Sequence, residues 1–318
     1  MSRVFRFVAL TFGIFPFWTG GRLVAQAGRP APDAAVLEAA HWQQGLATWR
    51  AQREQEVAAP GGWLTLAGME WLKPGANTVG AGADNQIKLH VAAPEHLGLF
   101  TVSGAVVQLL APAGGFAPEL RIDGKLAREG ALTVDDRMPS TITWRSLTLV
   151  VLKRGDRYML RIKDSASASR AAFHGLNWYA PDPHYLIAAN WIPFTPPHIE
   201  KIPTVIGTTL DLPAPGIAEF TLDGQTLRLE PVVEDPTGKT LFFILRDETS
   251  KTTTYGAARF LTTGLPDHGL DQPGTLTLDF NRLENPACAY TPYATCPLPP
   301  AQNRLAVSLE AGEKRYAE

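Results

Sequence analysis

Apolar residues recur along this chain in two registers. Between Asp33 and about Val57 they fall at helical spacing: Trp42, Leu46 and Trp49 stand at i, i+4 and i+7. That places them on one face of a helix which Asp33 can cap. AAPGGW, Ala58 to Trp63, ends the segment, and beyond it the period drops to two. Ile87, Leu89 and Val91 alternate with polar neighbours in QIKLHV, as do Leu147, Leu149 and Val151 in ITWRSLTLVVL and Tyr158, Leu160 and Ile162 in YMLRI. Such alternation predicts half-buried strands. Between the strands lie Asp123-Gly124, Gly155-Asp156 and Asp223-Gly224, each able to supply the positive φ of a tight hairpin. Many short strands with Gly and Pro punctuation predict a sandwich or barrel. Neither a βαβ alternation nor GxGxxG occurs, which disfavours a parallel dinucleotide-binding sheet.

The expected fold is therefore mainly β: an amino-terminal helix followed by two packed β units. The boundary falls in NWIPFTPPHIEKIPT, Asn190 to Thr204, where closely spaced prolines remove ladder donors and predict a linker or a strap. The expected divisions are a signal peptide over 1–27, the helix and its linker over 28–60, a sandwich-like unit over 61–195 and a second β unit over 196–318.

Composition narrows the function classes. Hydrophobic residues make up 45% of the 318 and charged residues 19%, a balance that supports a packed core. Lys and Arg number 29 against 31 acidic residues with no long like-charged run, so the footprint of nucleic-acid binding is missing. Arg3 and Arg6 precede an apolar stretch from Phe7 to Trp18, then Ala25-Gln26-Ala27. This reads as a secretory signal peptide and predicts a periplasmic or secreted protein, not membrane-embedded after cleavage. Cleavage after Ala27 removes Arg3, Arg6 and Arg22, leaving 26 basic against 31 acidic residues. In an oxidising compartment the two cysteines, Cys288 and Cys296, are expected to form a disulfide that shapes their proline-flanked loop.

The carboxy-terminal half carries the densest motifs. Asp279-Phe280-Asn281 is followed by Asn285-Pro286-Ala287-Cys288-Ala289-Tyr290, then by Tyr293-Ala294-Thr295-Cys296-Pro297-Leu298-Pro299-Pro300. Asn303-Arg304-Leu305 and Ala311-Gly312-Glu313-Lys314 complete the series. In these blocks the chain resembles the bacterial domain of unknown function 1684, and GWLTLAGMEWLKPGANTVG and TTTYGAARFLTT extend the resemblance over most of the mature chain. One position departs from it: Leu283-Glu284 stands where the family has Ala-Tyr before Asn-Pro, which implies a missing aromatic wall. The resemblance supplies motifs and no activity. A second resemblance runs from Gly75 to Gly98 and into IDGKL, which is similar to the core of a forkhead-associated domain. Ala81 replaces that family's phosphate-binding arginine, however, and Ala93-Pro94-Glu95-His96 replaces its Ser-Arg-x-His segment.

Strand alternation sets Leu276, Leu278 and Phe280 against Asp279 and Asn281 on the other face, and Leu305, Val307 and Leu309 against Arg304. Arg259, Asp279, Asn281, Asn303 and Arg304 are the candidate ligand-binding patch. The alternative is internal: Asp279 pairing with Arg304, and the asparagines capping turns. Phe173 to Trp191 is the most aromatic stretch, either a small-molecule wall or a plug between β units. His174 and His184 lack a third ligand at metal spacing, so no metal site is expected, nor any cofactor. No GxSxG elbow occurs. The expected function is binding of a small polar ligand or cell-envelope component at the patch. A hydrolase using carboxylates of that patch and a structural envelope protein are the alternatives.

Overall fold

The computed structural model describes residues 34–135 and 137–316, so the expected signal peptide lies outside the described residues. The helix runs from Ala34 to Ala58 without a β-branched run. From Trp42 onward its inward face carries Leu46, Arg53 and Val57, all buried. A guanidinium on that apolar stripe is the first sign of a polar interior contact. No helix among the described residues is long and apolar enough to cross a membrane.

The remainder is mainly β, in several packed antiparallel sheets, none closed into a barrel. One sheet of six strands orders Leu66–Leu72, Arg157–Asp164, Leu147–Arg154, Thr141–Trp144, Arg121–Ile122 and Lys125–Leu126. Its partner, built around Gly75–Gly80, Gly98–Ser103 and Val106–Leu110, shares one core with it. Leu147, Leu149, Val151, Leu160 and Ile162 meet Val79, Phe100, Val107 and Leu109 there, as the alternation predicts. The strand expected over QIKLHV is shorter, covering Ile87–Lys88 alone. ITWRSLTLVVL is not one strand but a hairpin, with Trp144 opposite Leu147 and Arg145 at φ 52° in the turn. The Asp-Gly hairpins stand where the turn chemistry puts them, with Asp123 and Asp223 at φ 51° and 50° and each following glycine also positive.

The carboxy-terminal sheet orders Gln225–Leu229, Thr209–Leu222, Leu186–Pro203 and Gly274–Asp279. The proline-rich stretch expected to be a linker or strap lies within the strand Leu186–Pro203. It pairs with Thr209–Leu222 on both sides of an irregularity between Pro193 and His198, where the ladder needs no donor. A two-stranded ribbon, Leu241–Leu245 with Arg259–Thr263, is buried on both faces. Leu241, Phe243, Leu245 and Leu261 pack into the core of the four-stranded sheet. Phe242, Ile244 and Phe260 face another cluster with Leu66, Trp63, Ala287, Ala294 and Cys296. A short apolar run such as LFFIL is what a strand buried on both sides requires.

Candidate active-site cleft

Of the five sequence-predicted site residues, Asp279 and Asn281 are hydrogen-bonded to each other, and the other three bond to different groups. Arg259 is buried, with Nη1 2.6 Å from Asp247 Oδ2 and 2.9 Å from the Leu309 carbonyl, and Nη2 donating to the Ala311 carbonyl. Asp279 accepts from Trp42 Nε1 at 3.0 Å, Arg282 Nε at 3.1 Å and the Asn281 amide at 3.1 Å. Asn281 spans Asp182, accepting from its N–H and donating to its carbonyl, both at 2.9 Å. Asn303 does the same for Glu230, both at 2.8 Å, and donates to Ile244 O at 3.0 Å. Arg304 is exposed, and its Nη2 reaches the Pro299 carbonyl at 3.4 Å. Among the described residues no hydrogen bond or ion pair joins Asp279 to Arg304.

The expected disulfide is absent: Cys288 and Cys296 are free thiols. The loop is shaped instead by the Cys288 amide donating to Cys296 Sγ at 3.1 Å and by short 3₁₀ turns at Ala287–Ala289 and Ala301–Asn303. The hydrogen bond shared with Cys288, together with burial, pushes the Cys296 thiol up.

The polar residues that do converge lie at a cleft of about 760 Å³. Trp63, Leu210, Phe242 and Phe260 give it apolar walls, and Arg53, Glu56, Glu234, Glu284, Asn285 and Cys296 bring polar groups to it. None of the five predicted patch residues lines it. The helix supplies Arg53, the ribbon supplies Phe242 and Phe260, and the segment after Gly274–Asp279 supplies Glu284 and Asn285. A backbone pair in which Phe260 and Glu284 exchange hydrogen bonds, each 2.9 Å, fixes Glu284 to the ribbon edge.

The electrostatics are unequal across this group. Arg53 Nε lies 3.0 Å from Glu313 Oε1 and 3.2 Å from Glu284 Oε2, while Nη2 donates to the Asn285 carbonyl at 2.8 Å. Burial works against the Arg53 charge, but Glu284 and Glu313 outweigh it and raise the guanidinium. Glu313, 1% exposed, also accepts from the Asn285 amide and the Tyr290 hydroxyl, both at 2.7 Å. Burial and the Glu313 charge raise the Tyr290 phenol. Glu284 shares one N–H of Arg53 and has no further ion-pair partner among the described residues. Burial therefore pushes its carboxyl up to about 7, against the pull of Arg53 and with the help of Glu313 and Glu56. Glu234, on the same cleft, is raised by burial alone. Asn285 Oδ1 is buried without a hydrogen-bond partner, while its Nδ2 donates to the Lys314 carbonyl at 2.8 Å.

Glu284, where the resemblance implied a missing aromatic wall, brings a carboxylic acid to the cleft. Its neighbour Leu283 is buried in the core. Two signals were available: an arginine on the apolar stripe of the helix, and an acid before Asn-Pro in a segment otherwise dense with apolar and amide residues. The aromatic stretch serves chiefly as packing, with Trp191 buried and Trp178 meeting Trp49 edge-on at 5.6 Å.

A family model for a protein of unknown function, DUF1684, matches residues 171–314, a span that includes the Glu284 and Glu313 network. An uncharacterized protein from gene locus rrnAC0354 of Haloarcula marismortui, solved by solution NMR, is 30% identical over 46% of this chain and 78% of that one, with a TM-score of 0.39. Residues 171–314 belong to the DUF1684 family. No curated protein matches it. The forkhead-associated resemblance finds no support in these comparisons.

Proposed function

We propose that the protein binds a small, partly apolar molecule in the Glu284 cleft, engaging it through a carboxylic acid that titrates near neutrality. The observation that carries this reading is Glu284 itself: a carboxyl raised to about 7 at the wall of a cleft lined by aromatic side chains. An acid perturbed by desolvation beside a specific charge partner in a concave, largely apolar site is a functional-site candidate on physical grounds. Beside it, the unpartnered Asn285 Oδ1 is an acceptor that calls for a ligand N–H or O–H. Fragment soaking into crystals of the protein tests this. Amine- or hydroxyl-bearing aromatic fragments are expected to gather in the cleft, and fragments collecting elsewhere, or nowhere, would overturn it.

The hydrolase reading gains one specific support: two carboxyls of the same cleft, Glu284 and Glu234, are both raised, as general acid-base chemistry near pH 7 needs. Turnover of a p-nitrophenyl ester that disappears in Glu284→Gln would establish it. Export remains part of the proposal on the strength of the first 27 residues. Amino-terminal sequencing of protein from a periplasmic extract should begin at Gly28, and an intact Met1 on cytosolic protein would refute it.

A further inference from the structure

Away from the cleft, His198, Glu200 and Glu230 bring one nitrogen and two carboxylate oxygens within 4.8 Å of one another. His198 and Glu200 are two apart on the strand Leu186–Pro203, opposite Ala214 and Leu212, and so share a face of the sheet. Glu230 directly follows the strand Gln225–Leu229. His198 Nε2 lies 2.8 Å from Glu230 Oε1 and 3.4 Å from Glu200 Oε2. A single ring nitrogen carries at most one proton and serves one acceptor well. Nε2 faces both Glu230 and Glu200, so a single proton on it can serve only one of the two carboxylate oxygens. A cation in place of that proton satisfies all three atoms at once and neutralises both carboxylates.

We propose that His198, Glu200 and Glu230 bind one zinc-class divalent cation. Ligand atoms about 2.1 Å from a tetrahedral zinc ion stand roughly 3.4 Å apart; the His198–Glu200 spacing of 3.4 Å already fits, the 2.8 Å between His198 and Glu230 widens slightly, and the two carboxylate oxygens lie within 4.8 Å. The supporting shell is in place. Gln302 Nε2 holds the other oxygen of Glu230 at 3.3 Å, and Asn303 clamps the Glu230 backbone through both its N–H and its carbonyl. The Phe194 ring packs against the His198 imidazole with centroids 4.7 Å apart. Asn303, expected from sequence to contact ligand, thereby becomes a positioning residue for a metal ligand. His198 is 44% exposed, which leaves open coordination positions for water or a further ligand, the arrangement of accessible rather than closed zinc sites.

Calorimetric titration of EDTA-stripped full-length protein with zinc chloride is the test. One ion per chain is expected, with affinity reduced at least ~10-fold in His198→Ala and in Glu230→Gln, and about 10-fold in Gln302→Ala, which removes only an outer partner on the surface. His268→Ala, at an exposed histidine elsewhere, should bind as the parent does. Absence of saturable binding near one equivalent, or parental affinity in both His198→Ala and Gln302→Ala with unchanged circular dichroism, overturns the proposal.

Discussion

At the scale of single residues, the behaviour of Glu284 is set by an imbalance: one guanidinium N–H is divided between two carboxylates, and Glu313 receives two further donors from Asn285 and Tyr290. The consequence for stability has a definite sign. An unfolded glutamate titrates near ~4.3, whereas Glu284 in the fold titrates near 7. Between these values the native state keeps a proton that the unfolded chain has released, so stability falls as pH rises through the window. The contribution is complete below about pH 4.5 and lost above about pH 7, and its size is at most about 4 kcal/mol. Glu284→Gln, neutral at every pH, should lack this decline and gain on the parent protein toward pH 8. Urea unfolding at several pH values measures it; parallel curves for the two proteins would rule the assignment out. None of this was legible in the sequence, because the perturbation depends on a helix residue far upstream and on a glutamate near the carboxy terminus. What was legible was narrower: Arg53 lies on the inward stripe of its helix, and Glu284 interrupts a segment otherwise free of acids.

At the scale of elements, local chemistry was easier to read than burial. The Asp123-Gly124 and Asp223-Gly224 turns follow from the φ preferences of their own residues, and the alternating strands around Leu149 and Leu160 from a period of two. The Arg145-Ser146 turn carried no glycine, so a continuous strand was the natural expectation and a hairpin the outcome. The ribbon of Leu241–Leu245 and Arg259–Thr263 is a different case, since burial on both faces erases the alternation. Arg259, at the start of its second strand, was expected to face a ligand but instead ties the ribbon to the carboxy-terminal segment. Replacing it with leucine leaves Asp247 buried without its cation, a loss of about 3–5 kcal/mol in urea unfolding. The double change Asp247→Leu with Arg259→Leu should recover little, because the Leu309 and Ala311 carbonyls and the Thr249 amide lose partners as well. Full recovery in the double variant would mean that the single-variant loss comes from the stranded Asp247 carboxylate alone, and that the backbone ties add no net stability.

For the whole molecule, the controlling contacts join distant parts of the chain: Arg53 to Glu313, Trp42 to Asp279, and the Lys314 amide to the Asn177 carbonyl. The Ala311-Gly312-Glu313-Lys314 block seen in the sequence thereby acquires a physical reading. Ala311 is buried and holds an Arg259 nitrogen through its carbonyl. Glu313 satisfies Arg53, Tyr290 and Asn285. Gly312 sits at φ 76°, and a Cβ there would stand 2.4 Å from the Leu283 carbonyl oxygen, which accepts from the Glu313 amide at 2.8 Å. Gly312→Ala therefore pays twice, in a left-handed backbone that disfavours alanine and in a clash with backbone that cannot rotate away. Because Leu283 precedes Glu284, the displacement reaches the cleft as well as the fold. The expected result is a clear fall in melting temperature together with loss of the Glu284-dependent decline in stability between pH 4.5 and 7. Truncation after Leu309 removes the same groups outright and should abolish the cooperative unfolding transition, since Arg53, Tyr290 and Asn285 lose Glu313 at once and Arg259 loses the Ala311 carbonyl. If the truncated chain unfolds cooperatively with the parent midpoint, the carboxy-terminal block is not what closes the structure around the cleft.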